Sequence, residues 1–396
     1  MIRTGIFNGY CERVREREMM DAHNTIHLNG KAYEFRPGET ILEVARLSGI
    51  DIPTLCYLKA ITPTGVCRIC VVEVAGAADL VAACATPAAA GMVVQTESFR
   101  VVEARKLIIQ LLLSSGNHNC AISGHSGGSW EDFQLQVQQD DAAAELCPVW
   151  GDCRLQDLAY RYQVTGDPGL ATNVKYPMET VNPFIVRDFS RCILCGRCVQ
   201  ACNEVQVNNA IEFGYKSAFT KIITPDDKPL RDSECVFCGE CVQACPVGAL
   251  VEKDVRYRVR PWETEKVKTT CTYCGVGCQM VLHVKDGQVV QVSGAEASAP
   301  NYGSLCVKGR FGFDFIHSPE RLTAPLIKEN GTFREASWEE ALDLVAKKFT
   351  DIRDTQGPDA IGVLTSARIT NEENYIVQKF TRAVLKTNNI DHCARL

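Results

Sequence analysis

The stretch Cys271-Thr-Tyr-Cys274-Gly-Val-Gly-Cys278, completed by Cys306-Val-Lys308-Gly309, decides how the chain is interpreted. The cysteines follow one another with gaps of 2, 3 and 27 residues. This spacing lets one loop wrap around a 4Fe–4S cluster while the last thiolate comes from a distant part of the chain. The sequence therefore predicts a 4Fe–4S cluster on Cys271, Cys274, Cys278 and Cys306.

Lys308 lies two residues after the last of these cysteines. A lone lysine is ordinarily a surface residue. Here the Cys-Val-Lys-Gly context favours an electron relay between the cluster and the group with which the cluster exchanges electrons. We assign residues 264–322 to this cluster domain. Residues 253–268, which are charged and contain Pro261, are predicted to form a linker in front of the motif.

Cysteine usage is the outstanding feature of the composition, with 21 cysteines in 396 residues. An extracellular disulfide framework and a set of metal ligands are the two alternatives. Disulfide frameworks belong to short chains with little core, whereas this chain has long apolar patterns. The cysteines also follow one another at two- and three-residue gaps that suit a metal or cluster. We therefore expect thiolate ligands in a reducing, cytoplasmic setting.

The rest of the composition excludes several classes of protein. Hydrophobic residues make up 46% and charged residues 23%, and the net charge of −6 offers no basic face for nucleic acid. There is no apolar run of about 18 residues that could cross a membrane. The N-terminus lacks the apolar segment of a signal peptide. Residues 1–23 are predicted to be a disordered extension.

Residues 24–98 are predicted to form a β-grasp 2Fe–2S ferredoxin domain. A hairpin from Thr25 to Phe35 turns at Asn29-Gly30, and a capping box at Thr40 and Glu43 begins a short helix. A cysteine loop follows, and four thiolates suffice for a 2Fe–2S cluster. Zinc is the alternative, but only one CxxC pair is present. The expected ligands are Cys56, Cys67, Cys70 and Cys84.

Residues 99–180 are predicted to hold a His/Cys cluster. An amphipathic helix over 99–113 precedes His118 and Cys120, and a polar insertion separates these from Cys147 and Cys153. One histidine and three cysteines make a plausible 4Fe–4S ligand set, in which imidazole raises the reduction potential. His125 competes with His118 for the histidine position, and a surface loop histidine is the other alternative.

Residues 181–258 carry an internal repeat. The runs Cys192-x2-Cys195-x2-Cys198-x3-Cys202 and Cys235-x2-Cys238-x2-Cys241-x3-Cys245-Pro246 are typical of a bacterial two-cluster ferredoxin. In such proteins the fourth cysteine of each run ligates the other cluster. One cluster is therefore expected on Cys192, Cys195, Cys198 and Cys245, and the other on Cys235, Cys238, Cys241 and Cys202.

Residues 323–396 read as the beginning of an α/β domain. Ser337 caps a helix from Trp338 to about Thr355, and a second helix is expected from about Asn371 to Lys386. Residues 360–365 are predicted to form a short buried strand between them. The whole chain is thus expected to be an α+β multidomain iron–sulfur protein.

With these motifs in hand, the chain from about residue 24 onward resembles the N-terminal part of the catalytic (alpha) subunit of NAD-linked, molybdenum- or tungsten-dependent formate dehydrogenases. Its first part also looks like the large iron–sulfur subunit of respiratory complex I and the N-terminal half of iron-only hydrogenases. The complex I subunit usually lacks the 192–245 double module, and the hydrogenases lack the 271–308 motif.

The resemblance implies an oxidoreductase that converts formate to CO2 at molybdenum or tungsten held by a bis-pterin guanine dinucleotide. One 2Fe–2S cluster and up to four 4Fe–4S clusters would carry the electrons. The implied partners are flavin/NAD-binding and small 2Fe–2S subunits, or ferredoxin. In the family, a segment like residues 391–396 leads into a metal-ligating selenocysteine or cysteine. The sequence is therefore interpreted as a selenoprotein truncated after Leu396 and inactive on formate by itself, with no catalytic residue of its own.

Two other interpretations stay open. The chain could be a free-standing iron–sulfur electron-transfer subunit of a hydrogenase, NADH dehydrogenase or related complex. A multi-zinc binding protein is the second, and it predicts a colourless protein without iron.

Overall fold

The structure, a computed structural model, describes residues 24–59, 61–116, 118, 147–170, 174 and 176–392. The chain forms two compact units, one of residues 1–235 and 240–262 and the other of residues 236–239 and 263–396. The predicted extension over 1–23, the candidate ligands Cys120 and His125, and residues 393–396 lie outside the described residues.

The first unit contains nine strands and five α-helices among its described residues. The strands are β1 (Asn24–Leu28), β2 (Lys31–Phe35), β3 (Val71–Val74), β4 (Val81–Ala82), β5 (Val93–Gln95), β6 (Ile185–Arg187), β7 (Glu212–Gly214), β8 (Lys221–Ile223) and β9 (Leu250–Glu252). The helices are α1 (Ile41–Leu47), α2 (Phe99–Ser114), α3 (Arg154–Tyr162), α4 (Arg197–Gln200) and α5 (Glu240–Ala244).

The second unit contains seven strands and three α-helices among its described residues. The strands are β10 (Glu265–Thr270), β11 (Gln279–Lys285), β12 (Gln288–Gly294), β13 (Leu326–Glu329), β14 (Thr332–Glu335), β15 (Val363–Thr365) and β16 (Ile390–His392). The helices are α6 (Val307–Phe311), α7 (Trp338–Gln356) and α8 (Asn371–Phe380), and a π-helical turn, Thr381–Leu385, extends α8.

The N-terminal hairpin and its helix form as predicted. Asn29 and Gly30 both take positive φ at the hairpin turn, and Thr40 and Glu43 make a reciprocal capping box on α1. The five-stranded sheet runs in the order β2-β1-β5-β3-β4, with β1 and β5 parallel. Side chains of α1 pack with the buried strand residues into one apolar core. This arrangement positions the cysteine loop between α1 and β3.

A second apolar core joins the parts of the first unit that carry cysteines. Helix α2 packs against α3 and β3, and buried side chains from residues 55 to 249 meet in this core. Cys153 is buried within it, and Cys67, Cys192 and Cys245 pack against it. Three predicted cluster sites thus share one core from which water is excluded.

The ferredoxin repeat folds into two matching halves. Strand β6 pairs with β9 and β7 with β8, both antiparallel, and α4 packs against α5. Each half presents its first three cysteines on the loop before its helix and the first turns of that helix. This local arrangement follows directly from the two- and three-residue gaps between the cysteines.

The second unit begins with a three-stranded antiparallel sheet in the order β10-β11-β12. The predicted linker over 253–268 is therefore wrong from Glu265 onward, where β10 begins. Strand β10 lies at the edge of the sheet, where charged side chains such as Glu265 and Lys266 stay in solvent, and edge strands tolerate such charge.

The last part of the second unit confirms the beginning of an α/β layer, with one correction. Strand β15 pairs in parallel with β16, and α8 connects them. The predicted strand over 360–365 is shorter and is not buried, since Leu364 is 90% exposed. Its apolar sequence suggested a strand covered on both faces, but β16 is its one strand partner in the described part of the chain.

The hairpin of β13 and β14 was not predicted. Asn330 and Gly331 take positive φ at its turn, which is the strongest short-range hairpin signal in a sequence. The Asn-Gly pair in the sequence is the signal from which this hairpin could have been predicted. None of the helices the structure describes is long and apolar enough to cross a membrane.

Arg105 offers a test of how the two cores are tied together. Its side chain on α2 is fully buried and donates hydrogen bonds to Val71 O (2.9 Å) and Tyr162 Oη (2.8 Å). Arg105→Ala leaves both acceptors without this donor and also removes the ion pair between Arg105 Nη1 and Glu97 Oε1 (2.5 Å), so we expect a loss of about 2–4 kcal/mol in the free energy of unfolding. Urea unfolding followed by circular dichroism measures it.

Arg100, on the same helix, is the control. Its half-exposed side chain donates to Ala78 O (2.9 Å), and we expect Arg100→Ala to cost about 0.5 kcal/mol or less. Equal losses for the two variants would show that Arg105 does not tie the cores together.

Candidate functional site: five sets of cysteines

The four cysteines predicted to bind a 2Fe–2S cluster lie together in the first unit. Cys70 Sγ and Cys84 Sγ are 3.4 Å apart, and the Cys56 sulfur accepts hydrogen bonds from Cys67 and Cys84. The bond from Cys67 lowers the pKa of the Cys56 thiol to about 2, and the bond from Cys84 lowers that of Cys70 to about 7. The loop around them contains Gly65 at positive φ. The four sulfurs form one site.

Cys147 and Cys153 lie in the loop before α3, and His118 lies near Arg191 and Asp188. Cys147 and Cys153 are buried. His118 Nε2 is buried and has no hydrogen-bond partner among the described residues. Burial, helped by the nearby Arg191 cation, lowers the pKa of His118 to about 4, so its imidazole is neutral at pH 7. A neutral imidazole with an unsatisfied nitrogen is the form that ligates a metal.

The first ferredoxin set lines one apolar cavity in the first unit. The cavity wall contains Cys192, Cys195, Cys198 and Cys245, the four cysteines that the repeat predicts as one ligand set, together with Cys241 and apolar side chains that include Ile193 and Val247. Burial raises the pKa of Cys192 to about 11 and that of Cys195 to about 12, and it raises the pKa of Cys198 well above its usual value.

Of the remaining ferredoxin cysteines, Cys202 closes the first run, and Cys235, Cys238 and Cys241 occupy the positions in the second run that match Cys192, Cys195 and Cys198. Cys202 is buried in the π-helical turn that extends α4, and its sulfur accepts a hydrogen bond from Ala210 N (3.4 Å). Asn208 Nδ2 donates to Glu234 O (3.1 Å), which holds the end of the first run next to Cys235. Cys241 lies in α5, and Cys238 lies in the 236–239 segment of the second unit.

In the second unit, the loop between β10 and β11 brings three cysteines together with Cys306. Cys271 N donates to Cys278 O (2.8 Å), which closes the loop. Burial raises the pKa of Cys271, and Cys306 and Cys274 lie near enough to raise it further. Gly309 lies against Cys271, since a Cβ there would be 3.5 Å from its Sγ. Lys308 is exposed beside this site.

The residues present fit iron–sulfur clusters in their donor chemistry. Thiol sulfurs, one neutral imidazole and backbone N–H groups aimed at sulfur are the groups that bind and tune such clusters. Leu194 N, for example, donates to Cys192 Sγ (3.4 Å). No group of three or more His, Cys, Asp or Glu side chains among the described residues is spaced to hold a single metal ion.

Sequence reasoning missed two arginines next to these sites. Arg191, immediately before Cys192, is 4% exposed, and its Nη1 donates to Cys147 Sγ (3.7 Å). Arg310, two residues after Lys308, is 1% exposed, and its Nε donates to Cys238 O (2.7 Å). Their positions beside the cysteine motifs are evident from the sequence. Their burial depends on tertiary contacts, which cannot be inferred from the spacing of the cysteines.

Four families match parts of this chain. Residues 22–98 match the 2Fe-2S iron-sulfur cluster binding domain, and residues 191–249 match the 4Fe-4S dicluster domain. Residues 264–318 match the molybdopterin oxidoreductase Fe4S4 domain, and residues 321–396 match the molybdopterin oxidoreductase family. The fold and these matches together define a multidomain iron–sulfur protein that carries the beginning of a molybdopterin oxidoreductase domain.

Curated relatives narrow the class. Two proteins named "Putative formate dehydrogenase", YrhE of Bacillus subtilis (strain 168) and SA2102 of Staphylococcus aureus (strain N315), are 33% and 32% identical to this chain over 95% of its length. The chain spans about 40% of the length of these relatives. The four domain matches and the names of these relatives agree with the resemblance to formate dehydrogenases stated from the motifs.

One solved structure is also similar, a chain in the crystal structure of an NAD+-reducing [NiFe]-hydrogenase in its H2-reduced state. It is 28% identical with a TM-score of 0.49, and the similarity covers 60% of this chain and 91% of that one.

Asn301 holds the distant cysteine segment of the second unit in place. Its Oδ1 accepts from Gln279 N (2.7 Å), and its Nδ2 donates to Gln279 O (3.0 Å) and Ser304 O (2.9 Å). Asn301→Ala removes all three bonds, and we expect it to lower the free energy of unfolding by about 2–3 kcal/mol. Thermal unfolding followed by fluorescence measures the loss.

Gln288→Ala, an exposed change at the start of β12, is the matched control and is expected to leave the transition within about 0.5 kcal/mol of the parent. If Asn301→Ala unfolds like this control, the three bonds do not hold the segment.

Proposed function

We propose that the chain is the iron–sulfur electron-transfer portion of a formate dehydrogenase. The observation that carries the proposal is the cavity lined by Cys192, Cys195, Cys198 and Cys245. Three of these cysteines come from one run and the fourth from the other run. A set whose fourth cysteine comes from the other run is typical of paired 4Fe–4S clusters. A zinc knuckle takes its ligands from two adjacent CxxC pairs instead.

The proposed ligand sets are those expected from the sequence. The 2Fe–2S cluster takes Cys56, Cys67, Cys70 and Cys84; the 4Fe–4S clusters take His118 with Cys120, Cys147 and Cys153; Cys192, Cys195, Cys198 and Cys245; Cys235, Cys238, Cys241 and Cys202; and Cys271, Cys274, Cys278 and Cys306. The proximity of sulfurs in the described sites and the unsatisfied, neutral His118 ring support these assignments.

We further propose that the whole protein oxidises formate at a molybdenum or tungsten centre held by a bis-pterin guanine dinucleotide in the cytoplasm. Flavin/NAD-binding and small 2Fe–2S subunits, or ferredoxin, would accept the electrons. The names of the curated relatives and the match to the molybdopterin oxidoreductase family support this proposal.

The clusters, once bound, supply one-electron chemistry, and the residues of the chain hold and tune them. Buried apolar side chains around Cys192 and Cys153 exclude water. Arg191 places a cation against the Cys147 sulfur, and backbone N–H groups point at Cys192 and Cys202. Donors to sulfur stabilise the reduced, more negative state of a cluster and raise its potential. Lys308 would place its ammonium beside the Cys306 site.

Removing one proposed ligand tests the crossed ferredoxin assignment. We expect Cys245→Ala to lose one cubane, about four iron atoms and four sulfides per chain, because the other three thiolates belong to the other run. Iron and acid-labile sulfide analysis measures the loss, and electron paramagnetic resonance (EPR) identifies the missing cluster.

Cys11→Ala and Cys393→Ala are the controls, since neither cysteine is assigned to a cluster, and both variants should keep the full iron content. A colourless, zinc-containing parent protein would refute all the cluster assignments together.

Lys308 tests the electron relay in the full-length protein. We expect Lys308→Gln to slow reduction of the clusters by formate about tenfold, the equivalent of ~1.4 kcal/mol in the barrier, because the cation beside Cys306 is lost. Rapid freeze-quench EPR measures the rate, and iron content should not change.

Lys347→Gln, an exposed lysine on α7, is the matched control and should reduce at the parent rate. A parent protein whose clusters are reduced by dithionite but not by formate would contradict the formate assignment and favour the free-standing electron-transfer subunit.

A further inference from the structure

The loop that carries Cys271, Cys274 and Cys278 is tied to helix α8 by one side chain. Asn371, the first residue of α8, donates from its Nδ2 to Gly275 O over 2.6 Å. The two residues are 96 positions apart in the sequence. Gly275 follows Cys274 directly, so the bond reaches the part of the loop next to a proposed cluster ligand.

The contact is close on the side of the loop as well. A Cβ added to Gly275 would lie 2.6 Å from Asn371 Oδ1, so both polar atoms of the amide lie near this glycine. Gly275 is outside the positive-φ region, whereas Gly277 in the same loop has φ +73°. Glycine at position 275 is therefore explained by the space that Asn371 occupies and not by its backbone conformation.

The start of α8 is itself fixed in position. The Thr370 side chain accepts from Glu373 N, and the Glu373 side chain accepts from Thr370 N, which completes a capping box. Asn374 Nδ2 donates to Ser366 O (3.1 Å), the residue directly after β15. The amide of Asn371 thus extends toward the cysteine loop from a helix start that is held on both sides.

The bond from Asn371 determines which way one peptide group of the loop points. A trans peptide is planar and directs its C=O and N–H oppositely, so fixing Gly275 O also fixes the N–H of Val276. The donor keeps the negative end of this peptide dipole turned toward α8. Dipoles and N–H groups close to the sulfurs are among the features that set the reduction potential of a bound cluster.

We propose that Asn371 is a positioning residue for the Cys271–Cys306 site, where it holds the Gly275–Val276 peptide and so keeps the reduction potential of the bound cluster high. Without this donor, the Gly275 carbonyl can turn toward the cluster, and its partial negative charge then disfavours the reduced form. The inference rests on the proposed cluster assignment and does not depend on formate as substrate.

A purely structural role is the alternative, in which Asn371 only helps to begin α8. Two substitutions separate the roles because they break the same bond from opposite ends. Asn371→Ala removes the donor from the helix. Gly275→Ala leaves α8 unchanged, and its Cβ displaces the exposed Asn371 side chain. Gln378→Ala removes another exposed amide from α8 and is the matched control.

The experiment is a redox titration of the cluster-loaded chain, in which dithionite supplies the electrons and EPR follows the reduced cluster. The signal of this cluster is identified by its loss in Cys306→Ala. At the midpoint potential of the parent, we expect Asn371→Ala to lower the ratio of reduced to oxidised cluster about threefold, as the loss of one hydrogen bond would. Gln378→Ala should match the parent, and the iron content should not change in either variant.

The double variant adds a readout that a structural role would not give. Gly275→Ala alone should lower the ratio about as much as Asn371→Ala. Together the two substitutions should still lower it about threefold and not about ninefold, because they remove one shared bond.

Three outcomes would overturn the proposal. The first is a parent-like ratio in both single variants. The second is a change in Asn371→Ala with none in Gly275→Ala, which would assign the effect to the start of α8. The third is an additive loss in the double variant, which would show that the two residues act separately. If one single variant loses this cluster, the ratio in the other decides. A parent chain that binds no iron would instead refute the proposed function.

Discussion

Burial of thiols in apolar surroundings is the constraint on which the first unit depends. Thiolates are the ligand form of cysteine, yet burial, with a smaller contribution from Cys245, raises the pKa of Cys192 to about 11 and that of Cys195 to about 12. The positive charge of iron would offset this penalty once a cluster is bound. Backbone donors to Cys192 and Cys202 offset a smaller part of it. Cluster binding and folding of these loops are therefore coupled processes.

The same apolar core that raises these pKa values also joins the sites. Side chains of α2, α3 and the ferredoxin repeat meet in it, so Cys67, Cys153 and Cys245 border a single packed region. Buried cations lie where the core is polar: Arg105 between α2, β3 and α3, and Arg191 beside Cys147. Burying an arginine is costly unless its charge is paired, and both cations have a carboxylate partner: Arg105 pairs with Glu97 at 2.5 Å and Arg191 with Asp188 at 3.4 Å.

Residue spacing indicates which cysteines belong together because most members of each proposed set lie close in sequence. The hairpin, the capping box at Thr40 and the helix over 99–114 were predictable for the same reason. The close approach at Gly248 and the burial of Arg191 and Arg310 were not, because they arise where segments distant in sequence meet. The strand from Glu265 was missed because its charged residues lie at a sheet edge, and the exposed Leu364 was misjudged because an apolar residue alone does not report burial.

Backbone hydrogen bonds hold several of the cysteine loops, alongside side-chain contacts such as that of Arg260 Nη1 with Cys147 O. Arg154 N bonds Pro246 O, Cys271 N bonds Cys278 O, and Asp188 N bonds Ala249 O (2.7 Å) just after the second cysteine run. Such bonds hold the loops at fixed separations whatever side chains flank the cysteines. A relay depends on fixed separation more than on the identity of neighbouring side chains, so the sequence around the cysteines can vary while these backbone bonds persist. Two residues between the loops remain critical. Gly248 is critical because any side chain at this position would clash with Val149, and Arg191 because its guanidinium donates to Cys147 Sγ.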